Sequence, residues 1–450
     1  MNTIIKYITT AIIGLGIPSL CGASVTFEGS GASHIVEVTP AATSGLNTVY
    51  VIENTAGLSM VYTAQSASSA VQWQRFSNLG GAYAEDVTPE RSGARLTLPC
   101  EASDMGYIIT EGSSRTCIWV VNYSRHQFAP MSIAPRPEDS DCGRMAFTFE
   151  GAAAEIPFYS ITGRHMTLAR DIEVRYQTLS FNEDAFVYSP ADATETVEYI
   201  SSVLSIPAPL CNTTVTVTGD RFLRAWNREI SISSPAVEVT AVEAQTRATQ
   251  TPRDADNEQR DENNGLGGSA PCEVTFEAAV SDAAIFTEWQ ISRQPDFTTI
   301  DNSYNETEFT YTFTDNGTTY VRFTANNADG TCPYEGTVYE VFIGESKLEI
   351  PNAFSPGATP GVNDEWKVSY RSLVSYQCHI FNSWGKQLFS STNPAEGWDG
   401  KVGSKVVPAG VYYYVIEAVG ADGVRYKKAG DINVVGYSER NNGTSAGTDE

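Results

Sequence analysis

The chain has 450 residues, with 29 Lys and Arg against 54 Asp and Glu and a formal net charge of −25. That balance argues against nucleic acid or anionic lipid as a partner, because the summed field repels both. The length exceeds what one β-sandwich core fills, so three or four domains are expected. Short apolar or β-branched runs ending in Gly, Asn, Asp or Ser recur along the chain, which predicts an all-β fold of tandem immunoglobulin-like β-sandwich domains.

Residues 1–23 read as a secretory signal peptide: Lys6 supplies charge, Ile8 to Leu20 an apolar stretch, and Cys21-Gly22-Ala23 small residues before a cleavage point. Gly14, Gly16 and Pro18 break the stretch, and it is too short for a spanning helix. Leu20, where a small residue normally precedes a lipidated cysteine, argues against lipidation of Cys21. Of eight cysteines, removal of Cys21 leaves seven in an oxidising compartment. The expected disulfides are Cys100 with Cys117, Cys142 with Cys211 and Cys272 with Cys332. Cys378 is then a buried thiol between Tyr376 and Ile380. None has the C-x-x-C spacing of a zinc or redox site.

Residues 24–137 read as one immunoglobulin-like sandwich, with strands at Thr48 to Glu53, Met60 to Thr63 and Cys117 to Val121. Trp73 and Trp119 lie within strands, where a core role competes with a carbohydrate platform. Residues 138–247 form a second β-rich domain of no nameable type, its strands at Met145 to Phe149, Asp171 to Gln177, Thr196 to Ile200, Thr213 to Thr218 and Val237 to Val242. From 248 to 269 the composition turns polar and charged, as in TQTPRDADNEQRDENNGLGG, and predicts a mobile acidic linker. Residues 270–346 are the clearest sandwich: Trp289 occupies a core strand, and Asp315-Asn316-Gly317 leading to Tyr320 resembles a tyrosine corner and the polycystic-kidney-disease type of repeat. Residues 439–450 read as a disordered tail.

The stretch 347–438 holds the most specific pattern. It opens IPNAFSP (Ile350 to Pro356), continues through Asn363-Asp364 and Trp366 to IFNSWG (Ile380 to Gly385), then GWDG (Gly397 to Gly400), Pro408, Gly410, Tyr412, Tyr414 and GDI (Gly430 to Ile432). Alternation along Val411 to Ile416 makes both faces of that strand apolar or aromatic, as expected where a strand is covered on two sides. These motifs resemble the gliding-motility-associated C-terminal domain, the type B sorting signal of the bacterial type IX secretion system. Two positions depart from the family: Gly357 to Gly361 replaces an acidic turn, and Ser383 stands where arginine is usual. The resemblance implies a small, autonomous β-sandwich sorting domain. It also implies recognition by the type IX translocon and attachment at the cell surface through an outer-membrane β-barrel of the PorP/SprF type. Phe354, Trp366, Trp384, Trp398, Tyr412 and Tyr414 are the candidate anchors for that partner, with a core role open for Trp384 and Trp398.

Catalytic chemistry finds no anchor in the sequence. His34, His126, His165 and His379 lie apart with no metal-ligand spacing, and no G-x-S-x-G elbow occurs. The glycines at 265, 267 and 268 follow no strand, so they do not form a nucleotide-binding turn. Asp364, Asp399 and Asp431 are read as turn-capping residues rather than calcium ligands. No cofactor or metal is expected. The chain reads as a non-catalytic surface protein, an accessory of the secretion and attachment machinery. An adhesin for glycan or matrix is the alternative, and a hydrolase with its site in 142–247 is a third reading.

Overall fold

The computed structural model describes residues 25–260, 265–357 and 363–435. The expected signal at 1–23 with Cys21, residues 358–361 of the glycine-rich loop and the tail at 439–450 lie outside them. The described residues are almost entirely β, arranged as tandem immunoglobulin-like sandwiches.

In the first sandwich a four-stranded sheet faces a six-stranded one, ordered Ile35–Val38, Thr48–Ile52, Ser114–Asn122, Met105–Glu111, Val71–Phe76, Glu85–Val87. Every residue from Cys117 to Asn122 is buried. Ile118 and Val120 point to the facing sheet, into a core with Met60 and Tyr62 from that sheet and Trp73 from their own. Cys117, Trp119 and Val121 point the other way, into a core that includes Ile156, Phe158 and Leu168 of the second module. The continuous apolar run is therefore that of a sheet covered on both faces. Residues 24–137 and 138–247, expected as separate domains, share one core. Trp119 is buried in that shared core and Trp73 between the two sheets of the first sandwich, so neither offers a platform for sugar.

The boundary also moves. Ala129–Pro135, at the end of the expected first domain, pairs with Arg144–Ala152 of the second module. A buried polar cluster locks the two modules. Tyr123 donates its hydroxyl to Asp220 Oδ2 at 3.0 Å, and Arg170 Nη1 donates to the same oxygen at 2.6 Å. Arg170 also donates to the carbonyls of Ala154 and His126. Asp220 Oδ1 caps the short helix Arg221–Ala225 by accepting from the N–H groups of Phe222 and Leu223. Burial, with Asp220 beside it, pushes the Tyr123 phenol up, so it remains a donor at neutral pH.

The third sandwich begins earlier than position 270. Ala244–Gln250 pairs antiparallel with Cys272–Val280, and Leu266–Gly268 runs parallel to Tyr339–Ile343. Trp289 is fully buried among Phe276, Phe309 and Phe323. The described residues of the expected mobile linker at 248–269 are thus part strand and part strap. Its composition misleads because its order comes from backbone pairing and side-chain amides, which bury little apolar surface.

The cysteine pairing differs from expectation. One disulfide is present among the described residues, Cys142–Cys332, bridging the second module to the third sandwich across 190 residues. Cys100, Cys117, Cys211, Cys272 and Cys378 are free thiols. Cys117 faces the shared core while Cys100 packs on the opposite face of the sheet, so these two point apart. Cys272 faces the core of the third sandwich, whereas Cys332 turns outward to Cys142. The same two modules also meet where Tyr188 donates its hydroxyl to Glu243 at 3.2 Å and the Arg247 guanidinium lies 4.1 Å from the Phe186 ring.

Closing so long a loop stabilises by about 5 kcal/mol on the chain-entropy account. Cys142→Ser with Cys332→Ser is expected to lower the unfolding free energy by about 3–5 kcal/mol, measured by denaturant titration. A loss under about 1 kcal/mol would mean that the non-covalent seam holds the modules by itself.

Candidate functional site

The carboxy-terminal sheet is ordered Ala353–Phe354, Arg425–Val434, Gly410–Gly420, Leu373–Phe381, Gln387–Ser391. Lys347–Glu349 and Ser369–Arg371 form a second, thinner layer, and Leu348, Ile350, Val368 and Tyr370 from it pack onto the inner face of the larger sheet. The sequence motifs converge inside this small sandwich. Trp366 and Trp398 exchange backbone hydrogen bonds of 2.9 and 3.0 Å. Their indoles donate to the carbonyls of Pro351 (2.7 Å) and Lys401 (3.2 Å). Trp398 packs on Phe354 and Tyr412, Trp366 packs on Tyr414, and the Tyr412 hydroxyl donates to Pro408 at 2.9 Å. The Tyr414 ring lies across Gly430, where a Cβ would stand 2.6 Å from its hydroxyl, so only glycine fits opposite it.

Of the six candidate anchors, Phe354, Trp366, Trp398 and Tyr412 are therefore buried core, and Tyr414 is half-buried against Trp366. They hold the domain together and are not free to grip a partner. Trp384 is the exception at 89% exposed. It sits in the turn joining Leu373–Phe381 to Gln387–Ser391, where Asn382 Oδ1 accepts from the N–H groups of Trp384 and Lys386 and Gly385 takes φ +80°. The turn fixes the backbone and leaves the indole in solvent, so the core reading of Trp384 is set aside.

The strand Gly410–Gly420 also departs from expectation. Its inner face is covered, but Val411, Tyr413 (47% exposed) and Val415 stand on an uncovered face. Phe381 lies opposite Tyr413 and carries the apolar patch across to the strand that ends at the Trp384 turn, while Asp431, Asn433 and His379 border it. Apolar side chains on both faces signalled the patch; alternation alone did not reveal that one face lacks a cover.

Asp364 and Asp399 serve turns as expected, whereas Asp431 lies within the strand Arg425–Val434 and caps no turn. Asp364 accepts from the Gly357 N–H, Asp399 pairs with Lys401, and Asp431 accepts from Asn433. The hydrogen bond from Lys401 holds the Asp399 carboxyl below its usual range. No group of three or more His, Cys, Asp or Glu side chains converges on a metal position among the described residues.

The domain is joined to the third sandwich on one side. Ser372 N donates to Ser269 Oγ at 2.8 Å, Asn316 N to the Ala421 carbonyl at 3.2 Å, and Ser346 donates from both its N–H and its hydroxyl to Asp422. The segment 251–260 then straps across the thinner layer. Tyr370 N donates to Asn257 O (3.1 Å), Gln259 N donates to Tyr370 O (2.6 Å), and the Asn257 amide donates to the carbonyls of Val368 and Pro394. The strap acts as a third, parallel partner on that ladder, centred on Glu258 opposite Tyr370.

Comparison with known families agrees with this layout. Residues 348–434 match the CHU_C Type IX secretion signal domain, and residues 134–234 match a fibronectin type III domain. The chain thus ends in a type IX secretion signal domain and is exported to the cell surface, while the module that sequence reasoning left unnamed is of fibronectin type. No curated protein matches the chain. Among solved structures, dimeric latent PorU from Porphyromonas gingivalis is 12% identical over 72% of this chain and 35% of that one, with a TM-score of 0.16. The three N-terminal domains of the bacteriophage RB49 Highly Immunogenic Outer Capsid protein are 12% identical over 69% and 100%, with a TM-score of 0.22. The fibronectin(III)-like modules of Clostridium thermocellum CbhA are 13% identical over 42% and 95%, with a TM-score of 0.16. This chain therefore spans about a third of the latent PorU chain.

Trp398→Ala is expected to cost about 3–5 kcal/mol, and Trp384→Ala to stay within about 0.5 kcal/mol, read from thermal unfolding of the two variants. Asn257→Ala with Gln259→Ala removes the strap's side-chain bonds and should cost about 1–3 kcal/mol. In that double variant the Tyr370 and Gln259 amides should exchange with deuterium faster than in the parent; unchanged protection would show that the strap is held by other contacts.

Proposed function

We propose that this exported chain is a non-catalytic surface protein held at the outer membrane by a β-barrel partner of the PorP/SprF type. It acts as an accessory or component of the secretion and surface-attachment machinery. The observation that carries the reading is the uncovered sheet face of the sorting domain, headed by Trp384. An exposed aromatic beside a contiguous apolar patch is the composition of an interface centre, and the flanking polar residues supply its rim. Because the motif aromatics are spent on the core, docking falls to Trp384, Tyr413, Val411, Val415 and Phe381.

The compact arrangement favours a machine component over a long-reach adhesin. Shared core, disulfide and strap join the modules into one body, whereas reach calls for independent repeats on flexible links. The fibronectin type match at 134–234 supports a binding or spacing role for the region where a hydrolase site was weighed. An adhesin remains the second reading, favoured by the same module type and by the surface groove described below.

Deleting the residues after Ile350 is expected to leave the protein in the periplasm, followed by surface proteolysis and cell fractionation; normal display of the truncated form refutes the sorting role. Trp384→Ala with Tyr413→Ala should keep the fold and abolish recovery of a stoichiometric barrel when the protein is purified from outer membranes. Undiminished recovery would move the docking site elsewhere.

A further inference from the structure

The third sandwich buries Phe276, Trp289, Phe309, Phe313 and Phe323, yet leaves Phe286 60% exposed, beside Ile285 with the same exposure. Both stand at the rim of an open groove of about 560 Å3. Its floor is the outer surface of the sheet at one end. Phe286 pairs with Asn326, and Glu288, Thr324 and Glu335 form a row across three strands. Asn305 closes one side, and Tyr334 packs beneath with its hydroxyl already donated to the Ala244 carbonyl at 2.7 Å. A floor built on paired strands is rigid before any ligand arrives.

The polar groups are one-sided. Glu288, one oxygen of which already accepts from Gln290 at 2.7 Å, and Glu335 are acceptors, the Asn305 amide offers both a donor and an acceptor, and among the described residues no Lys, Arg or His lines the groove. The nearby cation, Arg322, is already committed: its guanidinium lies 4.2 Å from the Phe297 ring, its Nε donates to Gln290 at 2.9 Å, and its Nη1 pairs with Glu335 at 3.5 Å. An anionic ligand would meet two carboxylates, and Arg322, the cation beside them, is already shared with Glu335. A wholly apolar ligand would strip water from both carboxylates and offer no hydrogen bond in return. What fits is a flat ring with an apolar C–H face to lie on Phe286 and hydroxyls around its edge. Those hydroxyls can donate to Glu288 and Glu335 and pair with the Asn305 amide.

We propose that this groove binds a neutral oligosaccharide. The idea rests on the surface-display reading, since an exported protein is the one that meets such glycans, but its test does not depend on export. The purified mature chain would be applied to an array of neutral oligosaccharides and the tightest ligand taken to calorimetry. Phe286→Ala and Glu288→Gln should each raise Kd about tenfold or more, while Trp384→Ala leaves it unchanged. Phe286 is exposed, so its truncation spares the fold, and thermal unfolding of the variant verifies this. The proposal is overturned if no neutral oligosaccharide is retained, if a lysine-rich peptide occupies the groove instead, or if affinity survives both substitutions. Sugar binding by a protein that fails to reach the surface would overturn the display reading and leave this one standing; the converse result would do the reverse.

Discussion

The six-stranded sheet of the first sandwich is apolar on both faces, and the rest of the molecule is arranged around that constraint. A sheet so built is insoluble alone, and one face must be covered by something other than its own partner sheet. The fibronectin type module provides the cover, with Trp119 at the contact and Phe76 and Tyr159 on either side of it. Once the two are fused, the polar groups caught between them must be satisfied. The Arg170, Asp220 and Tyr123 cluster does so while capping the one short α-helix among the described residues. Removing Arg170 alone would strand a buried carboxylate, because Arg170 Nη1 is the cation paired with Asp220.

From this base, order passes toward the carboxy terminus by three different kinds of bond. A disulfide joins the second module to the third sandwich, backbone and serine contacts join the third sandwich to the sorting domain, and the polar strap returns across the thinner layer of that domain. None of the three needs much apolar area. The sorting domain is consequently not a label hanging free on a tether. It is held on one side and presents the other, and its uncovered face has a fixed direction relative to the body that it displays.

The sorting motifs show how a family pattern and a binding surface come apart. Trp366, Trp398, Phe354 and Tyr412 define the pattern because each closes a specific packing or hydrogen-bonding need, down to the carbonyl that each indole or phenol finds. Such residues are constrained by folding. Trp384 belongs to the same pattern but has no partner ring and no buried contact, and its neighbours on the open face, Tyr413 and Val415, are not motif residues at all. Recognition by pattern therefore locates the domain, and burial locates the docking surface on it.

By itself the amino-acid sequence determined the all-β class, the core role of Trp289, and the identity of the last domain. Each of these is written in local periodicity, turn residues or closely spaced motifs. Only the tertiary structure decided which cysteines meet, because Cys100 and Cys117 are near in sequence yet lie on opposite faces of one sheet, while Cys142 and Cys332 are distant and adjacent. It also decided that 251–260 is ordered, since partners of Asn257 and Gln259 lie more than a hundred residues away at Val368, Ser369 and Tyr370. And it decided which face of Gly410–Gly420 is bare: alternation states that two faces are apolar, but whether a second layer covers each is a long-range fact that no local pattern contains.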